Sequence, residues 1–70
     1  MGLVAIFGAG VMGETLLAGL IRAGRRASEL VVTERRPDRA EELRHKHGVA
    51  VVSNVEAAQQ ADTLVFVVKP

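Results

Sequence analysis

The sequence holds no cysteine. Disulfide frameworks and thiolate zinc sites are therefore excluded, and the compartment is left open on redox grounds. No apolar run approaches the ~20 residues of a membrane span. The apolar start is short, lacks a basic flank and runs into glycines, so it does not read as a secretory signal. Charge of one sign is missing too: nine Lys and Arg against eight Asp and Glu leave a formal net charge of +1. That gives no special attraction to nucleic acid or to a membrane. Repeats, low-complexity tracts and linkers are also absent. These absences lead to the expectation of a soluble, cytoplasmic protein with neither a nucleic-acid nor a membrane partner. One domain at most fits in 70 residues, since a chain this short buries only about 60% of its unfolded surface. A hydrophobic content of 49% argues against disorder.

What is present centres on one stretch, Phe7-Gly8-Ala9-Gly10-Val11-Met12-Gly13. It reads Gly-x-Gly-x-x-Gly, follows the apolar run Leu3 to Phe7, and opens a helix-like run over Glu14 to Ala23. Strand, glycines and helix in that order turn a weak pattern into a nucleotide-binding one. Gly8 permits the tight turn, Gly10 lets a pyrophosphate approach the backbone, and Gly13 lets the helix pack on the sheet. The helix N-terminus then offers N–H groups and partial positive charge to phosphates.

The rest of the chain alternates strand and helix. Leu3 to Phe7 reads as a strand buried on both faces. Met12, Leu16 and Leu20, with Leu17 and Ile21, form the apolar stripe predicted to face the sheet. Gly24 suits the stop of that helix. Gly19 sits inside it at a cost of about 1 kcal/mol against Ala, with close packing as the available reason. Leu30 to Thr33 is a second strand. Pro37 opens a second helix carried by Asp38 to His47, with Ala40, Leu43 and His47 on one side, a Glu42–Lys46 pair, and Gly48 as stop. Val49 to Val52 is a third strand. Ser53 and Asn54 cap a short helix over 55–60. Asp62 precedes a fourth strand, Thr63 to Val68. The expectation is an α/β fold: a Rossmann-like βαβαβαβ half of a doubly wound parallel sheet, strand order 3-2-1-4, spanning residues 1–70. In that topology the fourth strand is left as an uncovered apolar edge, so further chain or a partner is expected beside it, and the sequence reads as part of a longer protein.

Cofactor choice turns on the residues after the second strand. Glu34, 21 positions after Gly13, could bond the ribose 2′-hydroxyl of NAD. Arg35 and Arg36 follow at once, and paired guanidinium groups suit the 2′-phosphate of NADP. We favour NADP(H), with NAD as the alternative.

Gly8 to Glu14, Leu17-Ala18-Gly19-Leu20, Val32 to Arg36, Gly48-Val49, Asn54, Ala61-Asp62 and Val67-Val68-Lys69-Pro70 together resemble the N-terminal domain of pyrroline-5-carboxylate reductase, along the whole chain. The Val-Lys-Pro ending and Met-Gly-Glu after the glycines are the more specific parts. Val11 stands where many bacterial members carry Asn, which removes a side-chain contact and keeps the backbone N–H. The resemblance implies a reductase passing hydride from NAD(P)H to the C=N bond of 1-pyrroline-5-carboxylate, the last step of proline synthesis. It implies that Gly8, Ala9, Gly10, Val11 and Met12 hold the pyrophosphate, that Arg35 and Arg36 meet the 2′-phosphate, that Asn54 lies near the adenosine, and that Val67, Val68, Lys69 and Pro70 line the nicotinamide-ribose side. It also implies a second, helical domain, absent here, that carries the substrate pocket and homo-oligomer contacts. No catalytic residue is assigned, and the 70-residue chain alone is expected to be inactive.

Other residues carry plainer readings. His45 and His47 read as surface polar residues and make a poor metal pair; no metal site is expected. Glu41 and Glu42 read as solvated charges, Asp62 as the start of a strand, Lys69 as backbone shaping. Two competing functions stay open: another NADP-dependent reductase, such as a hydroxyacid dehydrogenase or a deazaflavin-linked NADP reductase, and a non-enzymatic nucleotide-sensing module like the regulatory domains of potassium transporters. Fold alone does not separate these.

Overall fold

A computed structural model describes residues 2–8 and 10–67. Four short strands, β1 (Val4–Phe7), β2 (Leu30–Thr33), β3 (Ala50–Val52) and β4 (Thr63–Phe66), form one sheet in the order β3-β2-β1-β4. Every pairing is parallel: Ile6 lies opposite Val32 on one side and Val65 on the other, and Val32 lies opposite Val51. Parallel neighbours need crossovers, and here these are α1 (Val11–Arg22), α2 (Pro37–His47) and α3 (Asn54–Gln60). The predicted topology is the one observed.

Strand alternation sorts the core into two layers. Val4, Ile6, Leu30 and Val32 share one face of the sheet and pack with Leu17 of α1 and Leu43 of α2. Ala5 and Val31 face the other way, against Ala57 of α3. Ile6, Leu17, Leu30, Leu43 and Val32 are almost wholly buried, and each contributes roughly 1.5–3 kcal/mol of transfer free energy. The second face is thinly covered, because α3 has only 7 residues. Leu64 and Phe66 of β4 stay exposed, as expected for an edge strand.

The helix facing is the main departure from expectation. The helix α1 begins at Val11 rather than Glu14, and Gly13 and Leu17 are its buried residues. Leu20 and Ile21 continue that line, whereas Met12 is 59% and Leu16 37% exposed. Each residue advances the helix by about 100°, so a face centred on Gly13 turns Met12 away from the sheet. Of the expected stripe, Leu17, Leu20 and Ile21 pack on the core and Met12 and Leu16 do not, while Gly13 is buried as expected. Two smaller differences concern strand ends: Val49 precedes β3 as a buried residue, and β4 stops at Phe66 among the described residues.

The helix ends follow from local chemistry. Gly24 has φ +109°; its N–H donates to the Ile21 carbonyl at 3.1 Å, and Arg25 N–H to Leu20 at 3.0 Å. That is the paired bonding of a Schellman stop, which needs a residue tolerant of positive φ. Ser53 caps α3: its Oγ accepts from the Glu56 N–H at 3.1 Å, while the Glu56 carboxylate accepts from the Ser53 N–H at 3.3 Å. Asp62 does more than begin a strand. Its carboxylate accepts the Leu3 N–H at 2.9 Å, joining the entries of β1 and β4.

Gly19 is exposed, and a Cβ built there meets nothing within 4 Å. Close packing is thus not its reason. Gly19→Ala is expected to stabilise the fold by about 1 kcal/mol, read as a thermal midpoint roughly 4–8 °C higher. A midpoint that falls would mean that the position is constrained by something outside the described residues.

Candidate functional site

The C-terminal ends of all four parallel strands open onto one cleft of about 1250 Å³. Strand order reverses between β1 and β4, since the chain passes from β1 outward through β2 and β3 and returns to the far side of β1. In open α/β sheets such a switch point is where ligands bind. Of the residues singled out in the sequence, Gly8, Gly10, Val11, Met12, Arg35, Arg36, Asn54 and Val67 line this cleft. Ala9, Val68, Lys69 and Pro70 lie outside the described residues.

The glycine turn forms the floor. Gly8 has φ +78°, and a Cβ there would come 2.9 Å from the Val67 carbonyl oxygen. Both facts require glycine: the backbone is left-handed and the neighbouring chain leaves no room. Gly10 differs. Its φ is −62° and ψ −161°, open to any residue, and a Cβ there meets nothing within 4 Å. Gly10 lines the cleft, so this open space belongs to it. Gly10 is the N-cap, and among the described residues no side chain caps the first turn. The N–H groups at the start of α1 therefore keep their capacity for an external acceptor, and a helix of 12 residues adds its dipole. The cradle fits a phosphate group.

One wall is the turn after β2. Glu34 Oε2 accepts the N–H of Arg36 at 3.1 Å, so this carboxylate closes its own turn. The Arg36 guanidinium pairs with Asp38 at 3.1 Å, with both groups exposed. Arg35 has no ion-pair partner among the described residues. Thr33 was not singled out in the sequence, yet its buried Oγ1 accepts the Gly8 N–H at 3.3 Å and ties the glycine turn to β2. The opposite end of the cleft holds Phe7 and Phe66, stacked at 4.7 Å with 16° between rings. Adjacent register on β1 and β4 places them together, a pairing invisible before strand order is known. Asn54 opens α3, and because Ser53 supplies the cap, the Asn54 side chain is not needed for it.

Behind the glycine turn, Glu14 of α1 meets three basic side chains of α2. Arg39 Nη2 lies 3.0 Å from Oε1; Lys46 Nζ at 3.1 Å and His47 Nε2 at 3.0 Å share Oε2. Arg39 also holds Glu42 at 2.7 Å. The expected Glu42–Lys46 pair is replaced by these contacts, and His47 is a half-buried partner of Glu14 rather than a surface residue. Bonds from His47, Arg39 and Lys46, in that order of weight, hold the Glu14 carboxyl down at about 2, against an ordinary value of 4.5. Because the folded value is the lower one, this group stabilises the fold above pH 4.5 and loses that contribution as pH falls from 4.5 towards about 2. Glu14→Gln is expected to cost roughly 1 kcal/mol at pH 7, a figure held down by the solvent around Lys46. The gap to wild type should close in urea titrations run at successively lower pH. A gap that is constant with pH would show that the carboxylate charge contributes nothing.

No helix among the described residues is long and apolar enough to cross a membrane. Residues 3–70 match the family described as NADP oxidoreductase, coenzyme F420-dependent. The chain is 49% identical over 70 residues to proteins named pyrroline-5-carboxylate reductase from Mycobacterium tuberculosis (strain ATCC 25618 / H37Rv) and Mycobacterium leprae (strain TN). It is 38% identical over 68 residues to one of the same name from Corynebacterium melassecola. All of this chain is covered in the two mycobacterial comparisons, but only 24% of each relative. For the Corynebacterium protein the shares are 96% and 25%. The chain thus spans about a quarter of the length of the curated relatives it matches.

Proposed function

The chain belongs to the NADP oxidoreductase, coenzyme F420-dependent, family, and on that premise we propose that it is the NADP(H)-binding part of a pyrroline-5-carboxylate reductase. The observation that carries this reading is the cleft at the β1/β4 switch point, with an uncapped helix N-terminus behind an open Gly10. The relatives' shared name supplies the reaction class. When bound, the reduced nicotinamide supplies a hydride. The work of these residues is to hold and orient the dinucleotide. The N–H groups at Val11 and Met12 bind the pyrophosphate, Gly8 and Gly10 let it come close, Arg35 and Arg36 take the 2′-phosphate, and Asn54 meets the adenosine. Ala9, Val68, Lys69 and Pro70 complete this reading from outside the described residues.

The turn after β2 supports NADP over NAD. Glu34 is bonded within its own turn while Arg35 stands exposed beside it. The second oxygen of Glu34 still accepts, so the preference rests on the exposed Arg35 and Arg36 guanidinium groups, which suit a 2′-phosphate. We place the substrate pocket, the homo-oligomer contacts and any catalytic group in chain beyond these 70 residues, and the whole protein in the cytoplasm. The 70-residue chain alone is expected to bind NADPH weakly and to turn over no pyrroline carboxylate. Calorimetric titration with NADPH and NADH, followed by an assay of NADPH oxidation with substrate, checks both. Failure to bind either nucleotide would overturn the reading, and turnover by this chain would overturn the placing of the pocket.

A second reading keeps one observation behind it. The family description names coenzyme F420, so a reductase linking NADP to that coenzyme is the alternative. Reduction of coenzyme F420 by NADPH with the whole protein, and none of pyrroline carboxylate, would select it.

A further inference from the structure

We propose that the Glu14–Arg39 pair is a positioning clamp that fixes the span between the two phosphate-binding turns. The inference rests on the cofactor reading above and adds a role for two residues outside the cleft.

In NADP the 2′-phosphate and the pyrophosphate are joined through one ribose, which confines the distance between them to a short range. The protein must hold two turns at the matching spacing. One is the turn at Gly8–Gly13; the other is Glu34–Arg36. They lie on different strands and no covalent bridge shorter than α1 and β2 joins them. Glu14 sits one turn beyond Gly10, with its N–H donating to the Gly10 carbonyl at 2.8 Å. Arg39 is in the first turn of α2, which starts directly after Arg36. Their 3.0 Å contact therefore links the first turns of both helices, just behind both loops.

The other partners of the same carboxylate strengthen the argument. Lys46 and His47 belong to the last turn of α2, Arg39 to its first. One carboxylate thus holds both ends of α2 and resists sliding of that helix along α1. The Glu14 and Arg39 side chains are only 17% and 23% exposed, so the link is not a loose surface pair. Arg39 is also forked between Glu14 and Glu42 at 2.7 Å, which fixes its guanidinium plane. Preorganised spacing of this kind favours a ligand that bridges both turns and is irrelevant to one that touches a single turn.

Simple electrostatics makes the opposite forecast. Removing the Glu14 charge leaves Arg39 and Lys46 less compensated. Within a screening length of about 8–10 Å that would draw a phosphorylated ligand more strongly. The sign of the change therefore separates the two accounts.

The test compares Glu14→Gln and Arg39→Lys with wild type in the whole protein, using NADP+ as the ligand that spans both turns and 2′-AMP as the one that meets only the turn after β2. Arg39→Lys keeps the charge and the fold while losing the fork, so it serves should Glu14→Gln unfold. Thermal midpoints above the assay temperature confine the comparison to folded protein. Glu14→Gln is expected to weaken NADP+ about tenfold and Arg39→Lys about threefold, with 2′-AMP changed less than about twofold in each. Unchanged or tighter NADP+ binding by the folded variants would overturn the clamp, as would equal losses for both ligands. A wild-type protein that binds no NADP+ would overturn the cofactor reading, and the clamp with it.

Discussion

Gly10→Val is expected to abolish tight nucleotide binding while the fold persists. The backbone at Gly10 is in a conformation that any residue adopts, and a Cβ there meets nothing within 4 Å. The cost to folding is that of a poorer N-cap, about 1 kcal/mol or less. Binding is another matter. A valine side chain would enter open space at the cleft residue Gly10, where the proposed reading brings the pyrophosphate. Charge-assisted hydrogen bonds to that group contribute roughly 1.5–3 kcal/mol each. Losing one or two of them weakens NADPH by roughly 100-fold. Calorimetry beside a thermal melt reads both quantities on one sample. A large loss of stability with affinity intact would invert the assignment. Gly8 forms the natural contrast: at φ +78°, with Val67 oxygen 2.9 Å from any Cβ, its replacement strains the turn itself.

The second large effect is on cofactor choice. Arg35→Ala is expected to weaken NADPH by about 10- to 100-fold and to leave NADH within about twofold, because a guanidinium–phosphate bond is lost only when the phosphate is present. Arg36→Ala should do less, since its guanidinium is already paired with Asp38 at 3.1 Å. Affinities of both variants for both nucleotides decide the matter. Equal losses for NADPH and NADH at Arg35 would move that side chain to the adenine or the pyrophosphate. A larger effect at Arg36 would mean that the Asp38 pair opens for the ligand.

Strand–glycine–helix order and the continuous apolar run Leu3 to Phe7 made the sheet and its order readable from the chain alone. Leu30 to Thr33 coincides with β2 because an apolar run bounded by polar residues has one solution in a parallel sheet. The cleft residues were legible for the same reason: they follow strand ends, and strand ends gather at one edge. Three things were not. The facing of α1 was read correctly for Leu17, Leu20 and Ile21 but not for Met12 and Leu16, because four-residue spacing alone does not fix the centre of a stripe that also holds the buried Gly13. The Glu14 cluster joins residues 25 and 33 positions apart, and a one-helix rule such as Glu42–Lys46 sees only neighbours on its own cylinder. Thr33 looked like the last residue of a β-branched strand. Its bond to Gly8 exists only because β1 and β2 are neighbours in register.

The central place of β1 also bears on how the chain reaches this fold. Its two neighbours are β2, paired at Leu30 with Val4, and β4, paired at Thr63 with Val4. The Asp62 bond to Leu3 spans 59 positions. A ribosome adds about 5–20 residues each second, so the last partner of β1 emerges roughly 3–12 s after β1 itself. During that interval one side of the central strand has no native neighbour, however well the first crossover has formed. Vectorial synthesis thus gives the β1–α1–β2 unit time to assemble first, and the entry of β4 becomes the late step that completes the cleft.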